Sequence, residues 1–199
     1  MTLWRIIVVA SAVALAVPAF DASSQTAYPT KPIRILVPFP PGGSTDFLAR
    51  GIGQKLTEAW GQQVVLDNRA GAAGIVATDI VAKAAPDGYT LLMNAISHAA
   101  NASLYSKLPY DTLRDFAPIT LFADVPIILV VRSQLNARSA AELIALARAK
   151  PGQLNFAAGG VGASSHLAGE LFRSAAKIEW QTVQYKGGGP ALIDLLGGQ

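Results

Sequence analysis

The sequence predicts an α/β fold in which mostly parallel sheets are covered by helices. Three observations support this class. Short apolar runs of strand length alternate with longer stretches of helical periodicity from residue 33 onward, which is the pattern of strand–helix units in parallel sheets. The first run, at 33–37, is apolar at four of its five positions, as expected for a buried strand. Several strand-to-helix junctions are rich in glycine.

The first half of the chain contains three predicted strands and two long helices. Apolar residues recur at helical spacing from Phe47 to Trp60, and Gly61 is a typical helix stop. The predicted elements are, in order, a strand at 33–37, a loop at 38–46, the helix that carries residues 47–60, a strand at 64–66, a glycine-rich turn at 68–74, a helix that begins near residue 75 and ends before Pro86, and a strand at 89–93.

The second half begins with a weaker pattern, because residues 94–118 predict irregular structure with one short helix. Ile127–Val131 is strongly apolar and predicts a strand. Ser139 and Glu142 have the spacing of a capping box, which predicts the start of a helix that ends near Lys150. The remaining predicted elements are a strand at 154–157, a glycine-rich loop at 158–164, a helix at 165–176, a strand at 182–185 and a helix at 191–196.

The N-terminus has the layout of a secretory signal. Arg5 precedes an uncharged apolar run at 6–17, and small and polar residues follow at 18–27. We assign residues 1–24 to a signal peptide and expect the mature chain to begin between residues 20 and 28. The alternative is a membrane anchor, but a span needs about 20 apolar residues, and Pro18 and Asp21 interrupt this run.

Composition limits the classes of partner. The chain has no cysteine, so no disulfide supports it, and its formal net charge is +3. Its basic residues are scattered, whereas a nucleic-acid surface would form a stripe or patch. We therefore expect no nucleic-acid partner. The mild positive charge favours solubility and a weak attraction for anions.

Three predicted strand-to-helix junctions share one chemistry, with glycines and small residues ahead of a helix. They lie at 42–46, 159–165 and 187–189. Glycine lets a ligand approach the backbone closely, and the first helical N–H groups have no partner within the helix, so such junctions can bind anions. Each loop taken alone can also be explained as a tight turn with a helix cap; three in one chain favour a binding site.

The residues disfavour a nucleotide phosphate as the anion. A phosphate loop of the Walker type needs glycine directly before lysine, and no glycine in this chain precedes a lysine. The dinucleotide fingerprint needs three glycines at fixed spacing, and no loop supplies them.

Catalysis and metal binding are also disfavoured. Ser164, Ser165 and His166 lie together, but the segment at 162–166 fails the last position of the G-x-S-x-G nucleophile elbow. A serine hydrolase with His98 as its base stays the weakest of the alternatives. Two histidines without cysteine give no zinc-type spacing. We therefore expect that the protein is not an enzyme and that it binds neither a metal nor a cofactor.

A series of spaced motifs resembles one family. The segment 28–46 (YPTKPIRILVPFPPGGSTD) is similar to the opening of the solute receptors of tripartite tricarboxylate transporters, the Bug proteins. The resemblance continues at 67–74, 85–92, 108–111, 115–119, 150–152, 157–167 and 185–199. It covers essentially residues 28–199. One departure is Val183-Gln184-Tyr185-Lys186, where the family usually has proline as the second residue.

The resemblance implies a periplasmic-binding-protein-like, type II-like Venus-flytrap fold of two α/β lobes. We expect the first lobe at 28–124 and an incomplete second lobe at 125–199, because family members run further and the chain stops just after a predicted helix. The resemblance also implies a periplasmic location, a small carboxylate as ligand and permease subunits as partners. We expect a monomer.

The resemblance also implies a set of ligand-binding residues, carried over position by position. On the first lobe they are Phe39, Gly42, Gly43, Ser44, Thr45, Asp46, Gly71, Ala72, Asn94, Ser97 and His98. On the second lobe they are Gly160, Gly162, Ser164, Ser165 and His166, with Tyr185 and Lys186 near the rim. Carboxylate capture for transport is the leading hypothesis, and a sensor that presents its ligand to a signalling receptor is the alternative.

Overall fold

The computed structural model describes residues 28–198, so the predicted signal peptide lies outside the described residues. The first sheet has three parallel strands in the order β2–β1–β3: β1 (Ile33–Val37), β2 (Val64–Asn68) and β3 (Thr90–Leu92). Ile35 lies opposite Leu66 on one side and Leu91 on the other. Backbone hydrogen bonds at Tyr89 and Met93 extend the pairing of β3 over the predicted range 89–93.

The core of the first sheet forms because β1 is central and apolar at every position except Arg34. Ile33, Ile35 and Val37 are buried together with Ala49 from helix α1 (Ser44–Trp60). Gly53 lets α1 approach the sheet closely, since a Cβ added there would lie 3.1 Å from Leu66 Cδ1. The helix ends at Gly61, which adopts a left-handed conformation with φ 66°, as the predicted helix stop requires.

Two shorter helices complete this half. The 3₁₀ turn Ala72–Gly74 leads into α2 (Ile75–Ala82), and α3 (Ser97–Leu104) is the one short helix predicted within residues 94–118. Helix α2 continues directly from the 3₁₀ turn, and α3 packs against the turn from elsewhere in the chain. Helix α3 therefore supports the turn between β2 and α2.

The second sheet consists of two parallel strands, β4 (Asn155–Ala158) and β5 (Gln181–Gln184). The helices of this half are α4 (Ala140–Ala149), α5 (Ser164–Ala176) and α6 (Gly188–Gly197). An aromatic stack anchors its core: the rings of Phe156 and Trp180 lie 4.8 Å apart, and Phe172 stacks on Trp180 at 5.8 Å.

The predicted capping box at α4 is confirmed on one side. Ser139 Oγ accepts a hydrogen bond from the Glu142 N–H at 3.2 Å. The Glu142 carboxylate reaches back as expected of a capping box, but it accepts from the Arg138 N–H at 2.7 Å. The reciprocal bond is thus displaced by one residue toward the N-terminus.

The predicted strand at Ile127–Val131 is wrong. These residues have no regular structure, and their side chains range from 38% exposed at Val131 to 74% at Ile128. A strand needs a neighbouring ladder to satisfy its backbone groups, and neither described sheet pairs with this segment. An apolar run alone does not supply that partner.

Parallel sheets with flanking helices confirm the predicted fold class. The lobe boundary near residue 124 stays a prediction. Within residues 28–198, no helix combines the length and the apolar character that crossing a bilayer requires.

Candidate functional site

Three helices begin directly after glycine-rich loops at the carboxyl ends of parallel strands. The loops join β1 to α1, β4 to α5 and β5 to α6. At the N-caps of these helices, Gly43, Ala163 and Gly187, no side chain accepts a capping hydrogen bond. Ser139 caps α4 with its side chain, whereas α2 and α3, like the three helices after the glycine loops, begin without a side-chain cap. The first N–H groups of the three helices that follow the glycine loops are available to an anion.

The three loops converge in space. A Cβ added at Gly187 would lie 3.4 Å from Pro40 Cδ, which joins the third loop to the first. A Cβ added at Gly159 would lie 3.2 Å from the Gly188 nitrogen, which joins the second loop to the third. The absence of side chains at these glycines therefore allows three helix N-termini to lie side by side.

The first loop is shaped by the buried carboxylate of Asp46. Its Oδ2 accepts from the Gly42 N–H at 3.0 Å and from Arg50 Nε at 3.0 Å. Its Oδ1 accepts from Asn68 Nδ2 at 3.0 Å, and the same amide group donates to the Phe39 carbonyl. Both carboxylate oxygens thus have protein partners, and Asp46 acts by fixing the loop from Phe39 to Gly42.

These contacts stabilise the charged form of Asp46. Together they lower the pKa of Asp46 from 3.8 to about 2. The largest cause is hydrogen bonding to the Arg50 guanidinium, and the bonds from the Gly42 N–H and the Asn68 amide lower the pKa further. Burial of the carboxylate acts in the opposite direction and raises the pKa. The carboxylate is therefore ionised throughout the physiological pH range. It neutralises Arg50 within the protein rather than offering charge to a ligand.

The turn between β2 and α2 has an unusual backbone. Ala72 and Ala73 both have positive φ, 45° and 54°, which for residues other than glycine costs of order 1–3 kcal/mol each. A Cβ added at Gly74 would lie only 2.9 Å from Pro38 Cβ, so the turn packs against the start of the first loop. Of the predicted site residues, Gly71 and Ala72 lie here, exposed to solvent.

The second glycine loop is shaped by the first turn of α5. Ser165 Oγ accepts from the Gly159 N–H at 2.9 Å, and His166 Nδ1 accepts from the Gly162 N–H at 3.2 Å. Since Nδ1 is an acceptor, the neutral imidazole carries its proton on Nε2. Ser165 and His166 therefore hold the loop that contains Gly160, and Ser164 is the first residue of the helix.

The third loop carries Tyr185 and the exposed Lys186. Tyr185 donates its hydroxyl proton to Asp194 Oδ2 at 2.9 Å, and this bond is the largest reason that the pKa of Tyr185 is raised. A Cβ added at Gly160 would lie 3.4 Å from the Tyr185 carbonyl oxygen. Tyr185 thus borders the second loop through its backbone while its hydroxyl is bound to α6.

The predicted residues around α3 divide into two groups. Ser97 is buried, and Asn94 is half-buried with its Oδ1 accepting from the Ala95 N–H. His98 packs between aromatic rings, 6.0 Å from Tyr110 and 5.0 Å from Phe116, and its Nε2 lies 3.3 Å from the Thr112 carbonyl. The structure thus places His98 in an aromatic cluster, apart from the contacts that join the glycine loops.

Sequence reasoning missed three residues that organise these loops: Arg50, Asn68 and Asn101. Arg50 follows Asp46 at the i,i+4 spacing of helical ion pairs, a signal that could have found it. Asn68 and Asn101 act through contacts distant in sequence, which no local pattern reveals. Among residues 28–198, no group of three or more metal-ligating side chains is close enough to bind an ion.

The chain matches a known family over most of its length. Residues 48–199 match the profile of the tripartite tricarboxylate transporter family receptor. BugT of Bordetella pertussis is 45% identical over 177 residues, which are 88% of this chain and 54% of BugT. The chain therefore spans about half the length of the curated relatives that it matches.

Solved structures agree with this match. The R. palustris protein Rpa4515, determined with adipate, is 41% identical, with a TM-score of 0.83 over 86% of this chain and 57% of that one. MatC (Rpa3494) of Rhodopseudomonas palustris, determined with bound malate, is 33% identical, with a TM-score of 0.78 over 86% of this chain and 59% of that one. The chain belongs to the tripartite tricarboxylate transporter receptor family.

Proposed function

We propose that the protein of which this chain forms part is an extracytoplasmic solute receptor that captures a small carboxylate and delivers it to the permease subunits of a tripartite tricarboxylate-type transporter. The observation that carries the proposal is the convergence of three uncapped helix N-termini at one edge of two parallel sheets. The partial positive charge at each helix N-terminus favours a negative ligand. Because the three N-termini lie side by side, they favour a ligand with several oxygens that can be bound at once.

The chemistry of the loops favours a carboxylate over a phosphate of a nucleotide. The first two loops, 38–43 and 159–163, contain no lysine or arginine, and Arg50 is already paired with Asp46. Backbone N–H groups and the hydroxyls of Ser44, Thr45 and Ser164 then supply the donors. Such donors suit a compact anion of low charge, and matched relatives with adipate and malate support a dicarboxylate.

The export of the protein is supported by the predicted signal peptide and by family membership. A carboxylate sensor would use the same loops, because presentation of the ligand to a signalling receptor requires the same capture. We favour transport since the matched family is one of transporter receptors. Neighbouring genes for a small and a large permease subunit would support this choice, and a neighbouring histidine kinase would favour sensing.

A thermal-shift series tests the proposal. Purified protein is melted alone and with adipate, malate or citrate, and in parallel with adipamide, which has the length of adipate without its charge. We expect at least one carboxylate to raise the melting temperature and adipamide to leave it unchanged, since only the anion gains from the helix termini. Equal shifts with adipate and adipamide, or no shift with any carboxylate, would contradict the proposal.

A further inference from the structure

A single buried side chain, Asn101, connects two of the turns that form the site. Asn101 lies in α3 with 1% of its surface exposed. Its Nδ2 donates to the Ala73 carbonyl at 3.0 Å. On the other side, a Cβ added at Gly162 would lie 3.3 Å from its Oδ1. The amide therefore contacts the turn after β2 and also lies against the glycine loop after β4.

The orientation of the Asn101 amide follows from its surroundings. A carbonyl oxygen can only accept, so the atom facing Ala73 must be the nitrogen. This leaves Oδ1 toward the Gly162 loop, where it is buried without a hydrogen-bond partner from residues 28–198. A buried polar atom of this kind is an uncommon feature, and here it lies where two loops of the site meet.

The bond to Ala73 falls on a strained part of the backbone. Ala72 and Ala73 have positive φ, and the turn is closed by the Gly74 N–H, which donates to the Gly71 carbonyl at 2.9 Å. A strained backbone conformation persists when several neighbouring contacts hold it in place. Asn101 supplies such a contact from a different helix, and Leu104, also on α3, lies 3.1 Å from a Cβ added at Gly162.

We infer that Asn101 is a positioning residue, which holds the strained turn at 71–74 against the Gly162 loop and so preserves the arrangement in which the loops bind a carboxylate. The effect on binding rests on the proposed function. The effect on the turn itself does not, because it follows from the bond to Ala73 alone. Asn101 acts through these two turns and needs no contact with the ligand.

The test compares three variants with the unaltered protein. Asn101→Ala removes the amide, and Asn101→Asp keeps the shape but removes the donor. The matched control is Thr57→Val, which removes the partly buried hydrogen bonds of Thr57 to Gly53 and Val64, about 20 Å along α1 from its first residue. Affinity for adipate and malate is measured by calorimetry, and exchange of the amides at 71–74 is followed by hydrogen–deuterium mass spectrometry.

We expect both Asn101 variants to weaken binding about tenfold and to speed exchange at 71–74, whereas Thr57→Val changes neither even if it lowers the melting temperature as much. Ala73→Gly should restore most of the affinity in the Asn101→Ala background, because glycine adopts the positive φ at 73 without strain. A residue that only filled space would not be rescued in this way.

The outcomes separate the two claims. If no carboxylate binds the unaltered protein but exchange at 71–74 still rises only in the Asn101 variants, the proposed function fails and the positioning role stands. If the Asn101 variants exchange like the unaltered protein, or lose no more affinity than Thr57→Val, the positioning role is overturned. Binding loss without rescue by Ala73→Gly would also overturn it.

Discussion

The amide N–H of Gly42 donates a hydrogen bond to the Asp46 carboxylate, four residues further along the chain, at 3.0 Å. The N–H of Gly162 makes the equivalent bond to His166 Nδ1 at 3.2 Å. In both places a side chain in the first turn of a helix fixes the glycine loop before it. This internal bond orders the loop while leaving other N–H groups at the helix terminus for a ligand.

The Asp46 network predicts a loss of stability in acid. The pKa of Asp46 is lowered from 3.8 to about 2 in the folded protein, so the folded state favours the charged carboxylate. At neutral pH this preference contributes about 2 kcal/mol to the free energy of unfolding. The contribution is complete above the unfolded pKa and is lost as the pH falls from about 4 through 2.

Urea unfolding at pH 7 and at several values between 5 and 2 measures this contribution, with Asp46→Asn beside the unaltered protein. The two should differ most at pH 7 and converge near pH 2. Asp124→Asn, at an exposed carboxylate, is the control and should follow the unaltered protein. A constant difference between Asp46→Asn and the unaltered protein at all pH values would contradict the assignment.

Two helical glycines should respond oppositely to alanine. A Cβ added at Gly169 in α5 would lie 2.1 Å from the Phe156 ring, which is stacked on Trp180. Gly169→Ala should therefore destabilise the fold by about 1–3 kcal/mol through overpacking. At Gly51 in α1 an added Cβ meets nothing within 4 Å, so Gly51→Ala should stabilise by about 0.5–1 kcal/mol.

Chemical unfolding of both variants checks this pair. Near-ultraviolet circular dichroism of Gly169→Ala should also change, because the aromatic stack must shift. If the two alanines had equal effects on the free energy of unfolding, the close packing of α5 on β4 would be refuted.

Hydroxyls in the first turn of α1 should contribute less to binding than the backbone does. Thr45 is half-buried there and Ser44 is exposed. We expect Thr45→Ala to weaken binding by about 0.5–1.5 kcal/mol, the usual net value of one hydrogen bond, or by about 1.5–3 kcal/mol where the hydroxyl donates directly to the charged carboxylate. Thr45→Ser, which keeps the hydroxyl, should bind like the unaltered protein. Loss of all measurable binding in Thr45→Ala would mean that side chains rather than N–H groups hold the ligand.

Much of the fold could be predicted because its elements have local signals. The bounds of β1 agree residue for residue with the apolar run 33–37, and Gly61 ends α1 as predicted. Helices α1 and α6 begin three residues earlier than predicted, at Ser44 and Gly188. Helical periodicity reveals only the apolar positions of a helix. The first turns of α1 and α6 consist of residues outside that pattern, so the sequence predicts their starts too late.

The remainder depended on contacts that a sequence pattern does not contain. The run at Ile127–Val131 has the composition of a buried strand, but no described strand pairs with it. The glycine loops could be predicted as a site, and the structure brings them together through contacts such as that of Gly187 with Pro40. The bonds from Asn68 and Asn101 that hold these loops join residues far apart in the chain.

Capture of a carboxylate by backbone N–H groups of the glycine loops can be tested by calorimetric titration of Gly43→Val with adipate and malate. Gly43 has φ −84° and open space where a Cβ would lie, so valine fits the fold but occupies the approach to the helix terminus. Gly51→Ala, on the same helix, is the control. We expect Gly43→Val to keep the unfolding free energy within about 1 kcal/mol and to lose at least tenfold in affinity, while Gly51→Ala binds normally. Unchanged affinity in Gly43→Val would show that the backbone N–H groups beside Gly43 do not hold the carboxylate.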